Sequence, residues 1–160
     1  MNEENLDKGF VCKCCGSFVK QYTRSFNSNM ALCLMLLYRY NMNGFVKVED
    51  FLIKNGHKRC GDFSYLVHYR FLEKQGGKRD DGSKRNGYYR LTSLGTFFVE
   101  GKVKAKKKFI ILNNKLQGFS GDEISIKEAL GKRFSFDELM GNFNPKTDKE
   151  TKTLHQLNLL

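Results

Sequence analysis

Phe71-Leu72-Glu73-Lys74-Gln75 alternates like a strand, 76–86 is a glycine-rich charged loop, and Gly87-Tyr88-Tyr89-Arg90-Leu91 alternates again. Directly after it, Thr92 stands as a helix cap before Leu94, Phe97, Phe98 and Val99. A hairpin that runs into a capped helix becomes diagnostic once the segments before it are read. Ser28 or Asn29 offers an N-cap oxygen ahead of Met30-Ala31-Leu32-Cys33-Leu34-Met35-Leu36-Leu37-Tyr38, which is apolar on nearly every face and so predicts a central buried helix. Asn41, Asn43 and Gly44 break it; Phe45-Val46-Lys47-Val48 reads as a short extended stretch, and 49–54 as a second helix stopped at Gly56 in the left-handed region.

After a loop carrying His57, Lys58 and Arg59, a third helix is predicted over 62–69, with Asp62 as N-cap. Phe63, Leu66 and Val67 form its buried stripe at i, i+3 and i+4, leaving Ser64, Tyr65, His68 and, at its end, Tyr69 on the opposite face. Such a helix suits a major groove, although an ordinary amphipathic helix has the same pattern. Helix, helix, helix, hairpin and closing helix is the winged-helix order, so the fold class expected is α+β: a winged helix-turn-helix with a C-terminal hairpin and short-helix extension.

Tyr89-Arg90-Leu91-Thr92-Ser93-Leu94-Gly95, followed by Phe97-Phe98-Val99, resembles the end of the wing in winged-helix transcription regulators of the MarR and PadR type. There the threonine caps the next helix and the glycine lies against the packed strand. The resemblance covers about half the chain, and it implies a fold rather than a particular target. The wider order, a cysteine knuckle, then these elements, then Gly118-Phe119-Ser120-Gly121 and Ile124-Ser125-Ile126, is similar to small proteins encoded by bacteriophages. That likeness implies a viral regulator or a factor that disables a host system.

Charge indicates the partner class. There are 28 Lys and Arg against 17 Asp and Glu, a formal net charge of +11. Such an excess attracts nucleic acid and other anionic surfaces without conferring specificity, although it also serves plain solubility. Its placement fits an interface. Lys58 and Arg59 precede the third helix; Lys78, Arg79, Lys84, Arg85 and Arg90 surround the wing against only Asp80 and Asp81; Lys102, Lys104, Lys106, Lys107 and Lys108 follow the closing helix. Duplex DNA is the expected ligand, with Ser64, Tyr65 and His68 toward the bases and the wing cations on phosphates. The alternative is a module that docks its basic surface on an acidic host protein such as a polymerase or a defence component.

Cys12, Cys14, Cys15, Cys33 and Cys60 make an odd total, which argues against a disulfide framework. Cys12-Lys13-Cys14-Cys15-Gly16 resembles one knuckle of a zinc ribbon. Zn²⁺ on Cys12 and Cys15 would need further ligands, for which Cys14, His57 and Cys60 are the candidates. Cys33 is expected in the core. Phe18, Lys20, Tyr22, Arg24 and Phe26 suit either an arm on a nucleic-acid backbone or an edge strand packed on the winged helix.

The domain plan expected is an N-terminal cysteine-containing arm (1–27), the winged helix (28–101), a hairpin and short helices (102–141) and a mobile tail (142–160). In the third part Asn113-Asn114 suits a two-residue turn. Ser125-Ile126-Lys127-Glu128 and Ser135-Phe136-Asp137-Glu138 are capping boxes. A lone hairpin is marginal in water, so a homodimer is one way to cover it. No apolar run approaches the ~20 residues of a membrane span, and the acidic start is unlike a secretion signal, so a cytoplasmic location is expected. His57, His68 and His155 form no spaced motif, and no phosphate-cradling loop or acidic cluster points to catalysis, so no enzyme activity is expected.

Overall fold

A computed structural model describes residues 3–40, 44–78, 81–82 and 87–141 of the chain. The fold is mixed α+β with open antiparallel sheets. Two compact units divide it: Met1–Phe26 with Ala105–Ile124, and Asn27–Lys104 with Ser125–Leu160.

The first unit starts with α1 (Glu3–Lys8) and a small hairpin of β1 (Phe10–Val11) and β2 (Phe18–Val19). Next, β3 (Gln21–Ser25) pairs antiparallel with β7 (Ala105–Leu112), which pairs in turn with β8 (Lys115–Ile124), giving the order β3-β7-β8. Asn113 and Asn114 have φ of 50° and 63°, the left-handed pair that a two-residue hairpin turn requires. Alternation buries Phe109 and Ile111 on β7 while Lys106, Lys107 and Lys108 stay exposed.

The second unit is built on α2 (Ser28–Arg39), whose residues from Met30 to Tyr38 are all buried, as an all-round apolar helix must be. The cap is one residue earlier than expected. Asn27 Oδ1 accepts from the Met30 N–H at 2.9 Å, and its amide donates to Asp62 at 2.8 Å. Three further elements follow in order: β4 (Val46–Lys47), α3 (Val48–Lys54), which ends before Gly56 at φ 82°, and a 3-10 helix (Gly61–Val67).

This 3-10 helix corrects the expected third α-helix. Asp62 does not cap it, being held by Asn27. Its buried residues are Phe63 and Leu66, with Tyr69 continuing the row, a spacing of three that matches 3.0 residues per turn. Val67, expected on the buried stripe, is half-buried, whereas Tyr69, expected outward, is buried.

Next come β5 (Leu72–Lys74), β6 (Tyr88–Leu91) and α4 (Ser93–Val99). β6 pairs with β5 in the register Leu72↔Leu91, Glu73↔Arg90 and Lys74↔Tyr89, and on its other side with β4, giving β4-β6-β5. Thr92 caps α4: its Oγ1 accepts from the Gly95 N–H at 3.0 Å and donates to the Arg70 carbonyl at 2.6 Å. A Cβ on Gly95 would strike the Phe71 carbonyl oxygen and lie 2.8 Å from Leu91 Cδ1, so the position must be glycine. Phe71 and Phe98 stack at 4.6 Å, and Phe63 meets Tyr89 edge-on at 5.2 Å.

The helices α5 (Ile126–Leu130) and α6 (Phe136–Met140) start at their predicted caps, with Ser125 accepting from Glu128 N–H and Ser135 from Glu138 N–H. They pack on α2, and Arg39 donates to the Leu139 carbonyl at 2.8 Å. The division thus differs from the one expected: the stretch 102–141 is shared out, its hairpin going with 1–26 and its two helices with α2. The physical reason is pairing. β3 completes the hairpin's sheet, whereas the apolar faces of α5 (Ile126, Ala129, Leu130) are buried in the second unit. The tail 142–160 lies outside the described residues.

Candidate nucleic-acid interface

The predicted contacts fall into three groups. Lys58 and Arg59 are exposed on the loop between α3 and the 3-10 helix, and among the described residues no carboxylate lies within ion-pair distance of either. With His57 and Cys60 they line a cavity of about 400 Å³, together with Asn29, Leu32, Leu52, Gly56, Arg133 and Phe134.

Ser64, Tyr65 and His68 lie on the 3-10 helix or directly after it, all half-buried. The Ser64 hydroxyl donates to the Gly61 carbonyl at 3.1 Å, leaving its oxygen lone pairs as acceptors. Tyr65 and His68, three residues apart, are eclipsed on a 3-10 helix, and their rings stack at 6.2 Å and 24°. Burial holds the His68 imidazole below its ordinary pKa, which favours a neutral ring able both to donate and to accept.

The wing is the third group. Lys78 is exposed, whereas Arg79, Lys84 and Arg85 lie outside the described residues. Arg90 is paired within the fold. Its Nε and Nη2 both reach Glu73 Oε2 at 2.6 Å, and its guanidinium lies 4.8 Å from the centre of the Phe45 ring. That pairing follows from the register, which places Glu73 opposite Arg90. The pair is itself solvent-exposed, so Arg90 meets a carboxylate here without being buried away from other partners. Lys102 is similarly engaged, 2.7 Å from Glu100 and 5.3 Å from the Phe97 ring centre.

Within the basic-aromatic stretch Phe18 to Phe26, Gln21–Ser25 form an edge strand, but its partner is β7 of the first unit and not the segment 28–101 on which it was expected to pack. Phe26 is buried and Phe18 exposed. Tyr22 is 45% exposed, with Lys20 at 5.4 Å and Arg24 at 5.7 Å from its ring centre.

Cys12 to Gly16 form the turn between β1 and β2, closed by Cys12 N–H donating to Ser17 O and Gly16 N–H to Cys12 O, both at 2.8 Å, with Gly16 at φ 71°. Hydrogen bonds from Ser17, first its side chain and then its backbone, and from the Cys12 thiol hold Cys15 below the usual thiol pKa. Cys12 and Cys15 lie on this one turn, where they could supply at most two of the four positions of a structural zinc site. Among the described residues no group of three or more His, Cys, Asp or Glu is arranged to hold a metal ion. Cys14 is exposed on the same turn; His57 and Cys60 belong to the second unit, where burial, opposed by backbone hydrogen bonds, pushes the Cys60 thiol up. Cys33 is fully buried, as expected, and its thiol is strongly raised by desolvation.

Sequence reading missed Arg133 and Phe134, which share a cavity with a loop more than 70 residues away; no local signal links the two. No helix among the described residues is long and apolar enough to cross a membrane. No family model, curated protein or solved structure matches the chain.

Proposed function

We propose that the second unit is a winged helix that binds duplex DNA mainly through the phosphate backbone, acting as a regulator rather than an enzyme. The observation that carries this reading is the strand order β4-β6-β5. A short strand between α2 and α3 pairs with the last strand of a hairpin that follows the 3-10 helix, and this pairing supports the winged-helix reading. The Thr92 cap and the obligatory Gly95 support it at the point of family resemblance. The net charge of +11, and Lys58 and Arg59 with no carboxylate in ion-pair distance among the described residues, favour a polyanion.

The 3-10 geometry sets what the third helix contributes. Seven residues at about 2.0 Å rise make an element near 14 Å long. It offers a compact cluster, Ser64, Tyr65 and His68, in place of a long reading face. Phosphate contacts therefore dominate affinity, and these three side chains supply what base preference there is. The test is selection of bound duplexes from a random pool with the parent chain and with Ser64→Ala and His68→Ala. A preferred sequence that changes in the variants is expected; the same enriched sequence from all three would overturn the role given to the 3-10 helix.

A further inference from the structure

We propose that the cleft formed by 57–60, Arg133 and Phe134 binds a nucleoside monophosphate. Three basic side chains, Lys58, Arg59 and Arg133, line one cavity with His57, and no carboxylate is among its lining residues. None of the three cations has a carboxylate within ion-pair distance among the described residues. Such a set favours a ligand with more than one negative charge, and an arginine fork matches phosphate oxygens.

The other walls restrict the ligand further. Leu32 and Leu52, both buried, and the half-buried Phe134 present apolar surface, while the Asn29 side chain offers one neutral donor and acceptor. Inorganic phosphate would leave the apolar wall unused. An apolar carboxylate would leave most of the positive charge unmatched. A nucleoside monophosphate satisfies both, placing a dianion on the cations and a planar base on the apolar side within reach of an amide. The volume, about 400 Å³, lies in the range of small-ligand sites.

The cleft shares Lys58 and Arg59 with the proposed DNA surface, but Arg133 is outside that surface, which separates the two readings. The experiment is calorimetric titration of the full chain with AMP, GMP, CMP and UMP, each compared with its nucleoside and with inorganic phosphate. At least one monophosphate is expected to bind about tenfold more tightly than either half-ligand, and Arg133→Ala to weaken it about tenfold. Arg133→Lys should restore part of that loss, and DNA affinity should not change in either variant. Arg133 is exposed, so both variants should keep the parent melting temperature; if Arg133→Ala did not fold, Arg133→Gln, which keeps the aliphatic stem and removes the charge, would serve for the same comparison. Binding no tighter than inorganic phosphate for all four, or binding indifferent to both substitutions, would overturn the assignment.

Discussion

The two units meet the problem of ordering a chain differently. Asn27–Lys104 with Ser125–Leu160 closes around one helix: α2 is buried along nine consecutive residues, and the capped elements α4, α5 and α6 follow sequence signals only a few residues long. Met1–Phe26 with Ala105–Ile124 depends on strand pairing between segments about 80 residues apart, and buries only Phe26, Ala105, Phe109, Ile111 and Ile124 among its described residues. Glycines make the difference concrete. A side chain at Gly95 meets backbone, whereas one at Gly118 on β8 meets nothing within 4 Å. The same residue type is a packing requirement in one unit and an open strand position in the other.

The largest effect that would break this contrast comes from those two glycines. Gly95→Ala should cost about 2–3 kcal/mol in urea unfolding, since the Phe71 carbonyl cannot move without disturbing the hairpin. Gly118→Ala should stay within about 0.5 kcal/mol of the parent, as open surface positions do. Equal losses would mean that α4 is not seated against Phe71 as described.

Thr92 comes next. Thr92→Val keeps the shape but removes both the cap to Gly95 and the donation to the Arg70 carbonyl, for an expected cost of about 1–2 kcal/mol. Thr92→Ser should recover most of it. If serine were no better than valine, packing of the methyl rather than the hydroxyl would be what stabilises the start of α4.

A smaller, chemical contrast separates the thiols. Cys15 in the first unit is exposed and its pKa is lowered, so its thiolate persists to lower pH than an ordinary cysteine's. Cys33 in the second is buried with its pKa raised, so it stays protonated and shielded at neutral pH. Mass spectrometry after brief alkylation near neutral pH should find Cys15 modified well before Cys33, and Ser17→Ala should move the Cys15 profile to higher pH. Alkylation of Cys33 in the folded chain at a comparable rate would contradict its placement on α2.

Legibility in the sequence followed the range of the interaction. The cap at Thr92, the Asn113-Asn114 turn and the boxes at Ser125 and Ser135 are all local, and each was readable from its own neighbours, whereas the close approach of Gly95 to Phe71 was legible only through the family resemblance. The 3-10 helix was misread as α because Val67 follows Leu66 and mimics a 3.6 period. The row Phe63, Leu66, Tyr69 at a spacing of three was the signal that distinguished them. The partner of β3 was not legible, since any of several edges could accept a strand carrying Tyr22 and Arg24. Of the candidate site, the charges at Lys58 and Arg59 stand in the sequence itself, the pairing of Arg90 with Glu73 follows only once the hairpin register is known, and the placing of Arg133 beside the 57–60 loop carried no local mark at all.

The most direct test of backbone-led DNA binding is a salt titration of duplex affinity by fluorescence anisotropy, on random and pool-selected DNA, with the parent chain and Lys58→Ala/Arg59→Ala. The log–log salt slope of the parent should flatten by about 1.8 in the double variant, near 0.9 for each lost phosphate contact, on both duplexes alike. An unchanged slope, with weak binding that ignores sequence and vanishes as salt rises, would contradict the account and point to an acidic protein as the partner of this surface.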